Sequence, residues 1–466
     1  MEKRRRGLRT GFTTGACAAA AARAATEGLV SGRVPEQVDC LLPNGQRVRF
    51  AVSAGWLAGP EDAPTKEPQP TRPAAAHREG WQPGSTAHAV VIKDAGDDPD
   101  CTHGAHLTAD VRLLPDAPGE IRLRGGAGVG TVTLPGLGLA LGAPAINPVP
   151  QANIAANVRA AAGDLLATLG LEVTLSVPGG EEMAKKTLNP RLGIRGGISI
   201  LGTSGIVRPY STAAFRASVI QGLEVAAAQG QETVVLTTGG RTEKFVMRFL
   251  PSLPPVAFVQ MGDFTGAALD AAARLGLRQV VIGCMVGKLA KMAQGETLTH
   301  ARRAEVDRDL LAEIARDCGA PIQVCADIRQ AETARFAAER LAELGLAGAF
   351  HQALAERLIG TLSARYPGRF RLRVLVCDFA GEHLLAEAVG ETGARGVARD
   401  DGGDGSDEGD GVDGSYGGDG SKWSSKGDAS DRDVEGDIGE RSDGSEKGKG
   451  SDGSVECDEG DGGRCR

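Results

Sequence analysis

Aromatic residues are scarce in this chain: 4% of 466 residues, with only 3 Trp and 3 Tyr. Its cores must therefore be packed largely from Ala, Val, Leu and Ile. Long apolar runs are missing as well. No 18 consecutive apolar residues occur, which argues against a transmembrane helix. The 9 cysteines include no C-x-x-C pair. Their odd number and irregular spacing argue against a disulfide framework and a Cys-rich zinc site, and suit a reducing cytoplasm. His103 and His106 form a lone H-x-x-H with no third ligand in view, so no protein metal site is expected. Lys3, Arg4, Arg5 and Arg6 precede an Ala-rich stretch and mimic a leader. Arg23 interrupts that stretch and Ala is only weakly apolar, so an export signal is not expected. Neither a nucleic-acid nor a membrane partner is indicated. The sequence sets no oligomeric state, and a homo-oligomer is compatible with it.

Charge is present but unevenly placed. The formal net charge is −8, yet residues 400–466 hold 21 acids and 8 bases, leaving 39 acids and 44 bases before them. A mildly basic body, net +5 by that difference, precedes an acidic tail. The tail is mostly Gly, Asp, Ser and Glu and has too little to bury to offset its ordering entropy, so disorder is expected from about residue 396. A second soft segment, residues 57–86, contains Pro60, Pro64, Pro68, Pro70, Pro73 and Pro83 and reads as a long exposed loop.

Between these segments the pattern is α/β, with an α+β first half and a Rossmann-like parallel-sheet second half. The expected divisions are 1–228, 229–395 and 396–466. Residues 12–27 read as an Ala-rich helix; 46–52, 87–92, 107–113, 130–134 and 171–177 as strands; 151–169 as a helix. In the second half, strands at 234–238, 256–261, 279–285, 321–326 and 373–377 alternate with helices at 241–250, 267–275, 288–293, about 330–345 and 349–363. Such alternation argues for a parallel sheet covered on both faces, with its ligand at the carboxyl ends of the strands.

Five segments have the residue types of a site. Thr13, Thr14 and Gly15 stand at a helix start, where backbone N–H groups can receive a carboxylate or phosphate. A plain N-cap explains the same residues. Lys93, Asp94, Asp97, Asp98 and Asp100 crowd one turn after a strand, as a functional acidic turn or merely a polar one. The run Gly125–Gly130 contains G-x-G, but a strand follows rather than a helix, so it is no dinucleotide fingerprint. Gly283 and Gly287, followed by Lys288 and Leu289, lack the spacing and hydroxyl of a phosphate-binding P-loop. Gly239 and Gly240 follow one strand and Asp263 ends the next. That pairing suits a nucleotide-type cofactor approached by a glycine turn and held at its ribose by an acid, although a βα turn with a helix cap explains it too.

Together these segments resemble the cobalt-precorrin-5B C1-methyltransferases of the anaerobic cobalamin pathway, the CbiD family. The resemblance rests on Leu8–Ala21, Lys93–Asp100 with Thr102-His103-Gly104, Ala145–Pro150, Asn189–Ile194, Gly196–Val207, Gly262–Gly266 and Gly287-Lys288-Leu289, and covers about residues 8–385. The Pro-rich segment, the acidic tail and Cys101 depart from the family pattern. The resemblance implies methyl transfer from S-adenosylmethionine to C1 of a cobalt-bearing corrin precursor, with cobalt present only as part of the substrate. A macrocycle with many carboxylate arms suits a basic body. On this basis Asp94, Asp97 and Asp98 are candidates for base or orienting groups. Gly239, Gly240, Asp263, Gly283 and Gly287 are candidates for the cofactor, and Thr13, Thr14, Gly15, Lys93, Lys288 and His300 for the substrate. The rival readings are a non-methylating α/β nucleotide-binding enzyme and a corrinoid carrier without turnover.

Overall fold

A computed structural model describes residues 8–59, 84–300 and 304–391. The expectations for the acidic tail and for most of the Pro-rich loop fall outside the described residues. The edges of that loop are strand: Leu57 and Ala58 end β1 (Ala54–Ala58), and Thr86 begins β2 (Thr86–Ile92).

Helix α1 (Thr14–Ser31) starts where Thr13 Oγ1 accepts from the Ala16 amide at 3.2 Å, and ends at Gly32 in the left-handed region. Phe12, expected in the helix, instead pairs in a short ladder of Gly11–Phe12 with Ile206–Val207. Ala16–Ala22, Ala24 and Ala25 are all buried. A helix apolar on every side belongs inside a core, and its small side chains let its neighbours approach closely. Those neighbours are β2, β3 (His106–Leu114) and α2 (Pro148–Ala162). Gly163, with φ 51°, ends α2, so the helix expected through residue 169 finishes as a short 3₁₀ turn, Gly163–Ala167. With β4 (Ile121–Gly125) and β5 (Gly170–Ser176), the first sheet has the order β1-β2-β3-β5-β4. It is antiparallel except for the β5–β4 pair. Alternate residues Ala87, Ala89 and Val91, then Leu107, Ala109, Val111 and Leu113, point into the core. The strand expected at 130–134 is reduced to Thr131–Val132.

Helix α3 (Thr212–Ala228) begins the second half, capped by Ser211. There follow β6 (Thr233–Thr237), α4 (Gly240–Phe249), β7 (Phe258–Gln260), α5 (Thr265–Arg274), β8 (Gln279–Cys284) and α6 (Val286–Ala293). The chain continues through α7 (Arg308–Asp317), α8 (Ile322–Gln330), α9 (Ala334–Ala342), α10 (Ala347–Arg365), β9 (Arg371–Cys377) and β10 (Leu384–Glu391). The second sheet runs β7-β6-β8-β9-β10, parallel except for β10. Val219, Leu223, Val225 and Ala226 of α3 pack into the same core as Val234 and Leu236 of β6. On the opposite face Phe245 and Val246 of α4 pack on Val235, Val281 and Leu375.

One expected strand is a helix. Residues 321–326 lie at the start of α8, where Val324, Cys325 and Ile328 are buried and Ile322 is exposed. A short apolar run reads equally as a strand or as one side of a helix. Here Pro321 sits at the N-cap, its ring compatible with a helix start.

From β6 the chain moves to one neighbour, β7, then crosses to the other side for β8. The strand order therefore reverses around β6, and the loops after β6 and β8 diverge at their carboxyl ends. In open α/β sheets this is where ligands bind.

Candidate cofactor and substrate site

The acidic turn is closed upon itself and its neighbours. Lys93 is almost fully buried, and its ammonium donates to Asp100 Oδ2 at 2.7 Å. Asp100 Oδ1 also accepts from the Thr102 amide at 2.8 Å and from its hydroxyl at 2.6 Å. Burial alone would raise the Asp100 pKa, but the Lys93 and Thr102 bonds outweigh it and the net direction is down. Asp94 pairs with the Arg9 guanidinium and accepts from the Gly96 amide. The Arg9 bond and then the Gly96 bond hold the Asp94 carboxyl below its ordinary value. Asp97 Oδ2 accepts the Arg9 backbone N–H at 2.6 Å, and Asp98 Oδ1 accepts that of Tyr210 at 3.0 Å. The approach is tight enough that a Cβ on Gly11 would lie 2.1 Å from the Ala95 carbonyl carbon. Within reach of the turn, His103 Nδ1 receives the Ala95 amide at 3.1 Å.

The start of α1 is similarly occupied. The Gly15 amide donates to Leu201 O at 3.0 Å and the Cys17 amide to Thr13 O at 3.2 Å, while Ala16 is capped by Thr13. Thr14 Oγ1 donates to Ser199 O and accepts from the Leu201 amide at 2.9 Å. The amides of Gly15, Ala16 and Cys17, which would attract an anion if orphaned, are thus bonded to Leu201 and Thr13. Burial raises the Cys17 thiol to about 12, consistent with a packing role.

At the carboxyl ends of the second sheet the groups are less enclosed. A Cβ added to Gly239, Gly240 or Gly287 would meet nothing within 4 Å. Gly283 differs, because its Cβ would lie 2.6 Å from Val246, so it admits α4 rather than a ligand. Lys288 binds three groups: Thr238 O at 3.3 Å, Gly262 O at 3.1 Å and Asp263 Oδ1 at 2.9 Å. It therefore ties the loops after β6 and β7 to the start of α6. Asp263 Oδ1 also accepts from the Thr299 hydroxyl at 3.1 Å. Desolvation opposes ionisation of Asp263, but Lys288, Thr299 and the charge of His300 bring its pKa below the usual value. Lys288 and Asp263 are half-buried and His300 is exposed.

The structure adds residues that the sequence reading passed over. Arg191, within the block 189–194, makes a two-pronged ion pair with buried Glu243 in the first turn of α4, with Nη2 at 2.9 Å from Oε2. Gln260, the last residue of β7, donates to the same Oε2 at 2.6 Å. Phe215 of α3 stacks on Phe264 with ring centroids 5.7 Å apart, and its ring also bounds Gly262. Nothing in the local sequence marks these pairs, which join positions 17, 49 and 52 residues apart.

A cavity of about 620 Å³ opens elsewhere, at the amino ends of the strands, between Asp270, Arg274, Arg365, Tyr366 and Arg369. None of the sequence-derived candidates lines it. Among the described residues no three His, Cys, Asp or Glu side chains are grouped to hold a metal ion. No helix of the described residues is long and apolar enough to cross a membrane.

Two family profiles match the chain. The CbiD family profile matches residues 1–209, and the profile of the CbiD C-terminal domain matches residues 298–388. The cobalt-precorrin-5B C(1)-methyltransferase of Methylococcus capsulatus is 65% identical over 384 residues, covering 82% of this chain and 94% of its own. The protein of that name from Rubrobacter xylanophilus is 49% identical over 379 residues, covering 81% and 90%. A crystal structure of the cobalamin biosynthesis protein (cbiD) from Archaeoglobus fulgidus matches 60% of this chain and 78% of its own at 27% identity, with a TM-score of 0.31.

Proposed function

The chain belongs to the CbiD family, and from that membership we propose the following division of labour for a cobalt-precorrin-5B C(1)-methyltransferase of cobalamin biosynthesis. The observation that carries the activity is 65% identity across 94% of the length of a relative bearing that name. S-adenosylmethionine is the methyl donor, held at the carboxyl ends of β6, β7 and β8. The residues there fit it. Gly239 and Gly240 leave room for a ligand to approach the backbone, and half-buried Asp263 is the acid for the hydroxyls of a ribose. When bound, the donor supplies a methyl group on a positively charged sulfur, an electrophile that needs no further activation.

The chain's own part is then mainly positioning. Lys288 fixes Asp263 through Oδ1 and links two strand ends, so the ribose-binding carboxylate is held in one orientation. Gly287 lies open beside it, whereas Gly283 serves packing. His300, exposed and within electrostatic reach of Asp263, is assigned to the substrate.

The macrocycle lies between this edge and the first half. Asp94, Asp97 and Asp98 act as orienting groups rather than bases. Their carboxylates hold Arg9, Gly96 and Tyr210, and a carboxyl held below its ordinary value, as Asp94 is, makes a weak base near neutral pH. Thr13, Thr14, Gly15 and Lys93 form the scaffold of this wall, since their polar groups are bonded internally. The boundary between the substrate and cofactor parts falls near residue 211, because α3 packs with the second core. Cytoplasmic placement is supported by free thiols at Cys17, Cys40 and Cys284.

Incubation of the purified chain with cobalt-precorrin-5B and methyl-labelled S-adenosylmethionine tests the reading. Label should appear on C1 of the macrocycle. Tetrapyrrole binding without transfer would instead identify a carrier.

A further inference from the structure

Tyr210 is the one non-glycine residue with positive φ, 55°, among the described residues. It follows Pro209, in a turn position that glycine usually fills at no steric cost. It is also 70% exposed, in a chain with only 3 Tyr. A strained backbone and an uncovered ring are both unfavourable for folding, and the surroundings maintain both. Asp98 accepts the Tyr210 amide at 3.0 Å, and Ser211 immediately caps α3. Five residues on, Phe215 stacks against Phe264 and bounds Gly262, next to Asp263. Leu201 and Phe215 of the same segment are exposed too, at 47% and 42%. The turn thus presents an aromatic ring and apolar neighbours on a segment that runs from the acidic turn to the carboxyl edge of the second sheet.

We propose that Tyr210 is a substrate-binding residue whose ring receives a face of the conjugated tetrapyrrole, and that Asp98 is the positioning residue that holds it in the left-handed conformation. This rests on the methyltransferase reading above and names a specific contact for its substrate. Ring-on-macrocycle stacking accounts for strain at an exposed site, because the left-handed turn sets the direction in which the side chain leaves the backbone. Steady-state kinetics with cobalt-precorrin-5B, together with thermal melting, separate this role from a structural one.

Glycine at 210 removes both strain and ring. Tyr210→Gly should melt at or above the wild-type temperature, yet raise KM for the tetrapyrrole at least tenfold, with a smaller change in kcat. Tyr210→Phe should recover most of the lost affinity. Asp98→Asn keeps an acceptor oxygen and should raise KM less than Asp98→Ala, with the kcat pH profile unshifted in both. In each variant, affinity for S-adenosylmethionine by calorimetry should stay within twofold of wild type. A Tyr210→Gly enzyme with wild-type KM, or one that melts well below wild type, would overturn the proposal. A wild-type chain that fails to methylate would instead overturn the underlying reading.

Discussion

The turn at 93–100 and the loops at the carboxyl edge of the second sheet each gather a lysine and carboxylates, but they leave different groups available. In the turn, Lys93 is buried against Asp100, and Asp94, Asp97 and Asp98 each hold another part of the chain. At the sheet edge, Lys288 and Asp263 are half-buried, Lys288 and Thr299 both meet Asp263 at Oδ1, and a Cβ on Gly239, Gly240 or Gly287 would meet nothing within 4 Å. In the proposed function the first cluster is a clasp and the second is a receptor. Charge density alone does not separate the two. What separates them is the burial of the lysine and the open space beside Gly239, Gly240 and Gly287.

The strongest test of that contrast removes the buried lysine. Lys93→Met leaves the Asp100 carboxylate without its counter-ion, and loss of one partner from a buried pair costs about 3 kcal/mol. Urea unfolding should show this loss, whereas Lys288→Met should cost far less. Next comes the junction between the halves. Arg191→Ala strands the buried Glu243 carboxylate and should lower stability by about 2 kcal/mol. It should also weaken S-adenosylmethionine binding, because Glu243 anchors the first turn of α4 after Gly239 and Gly240.

A pH scan sharpens the comparison further. Asp94, Asp100 and Asp263 all have folded-state pKa values below their ordinary ones. Their stabilisation is therefore complete above the unfolded aspartate value of about 3.9 and is lost as pH falls through the lower folded values. Stability measured from pH 6 down to pH 2 should drop below about pH 4. The drop should be shallower in Asp100→Asn. The smallest effect is expected at the end of the chain. The two matching profiles end by residue 388, so a chain ending at Val397 should keep its melting temperature and its turnover.

The alternating strands and helices of the second half were legible in the sequence because apolar runs such as Val234–Leu236 and Val280–Ile282 are bounded by Gly-bearing turns. Segment 321–326 misled, since a short apolar run does not carry its own period. The edge strand β10 and helices α3 and α7 went unread. The exposed first turn of α3 and the irregular burial of β10 blur the periodic signals that mark such elements. At the candidate site, the sequence brought forward individual blocks but not their partners. Arg9 meets Asp94 across 85 residues and Arg191 meets Glu243 across 52. Only the fold reveals which carboxylates are already taken.

Calorimetric titration of S-adenosylmethionine into Asp263→Ala and Asp97→Ala, beside wild type, tests the clasp-and-receptor contrast most directly. We expect Asp263→Ala to lose at least tenfold in affinity, about 1.4 kcal/mol, and Asp97→Ala to stay within threefold of wild type. Equal affinity in all three, or a larger loss in Asp97→Ala, would contradict it.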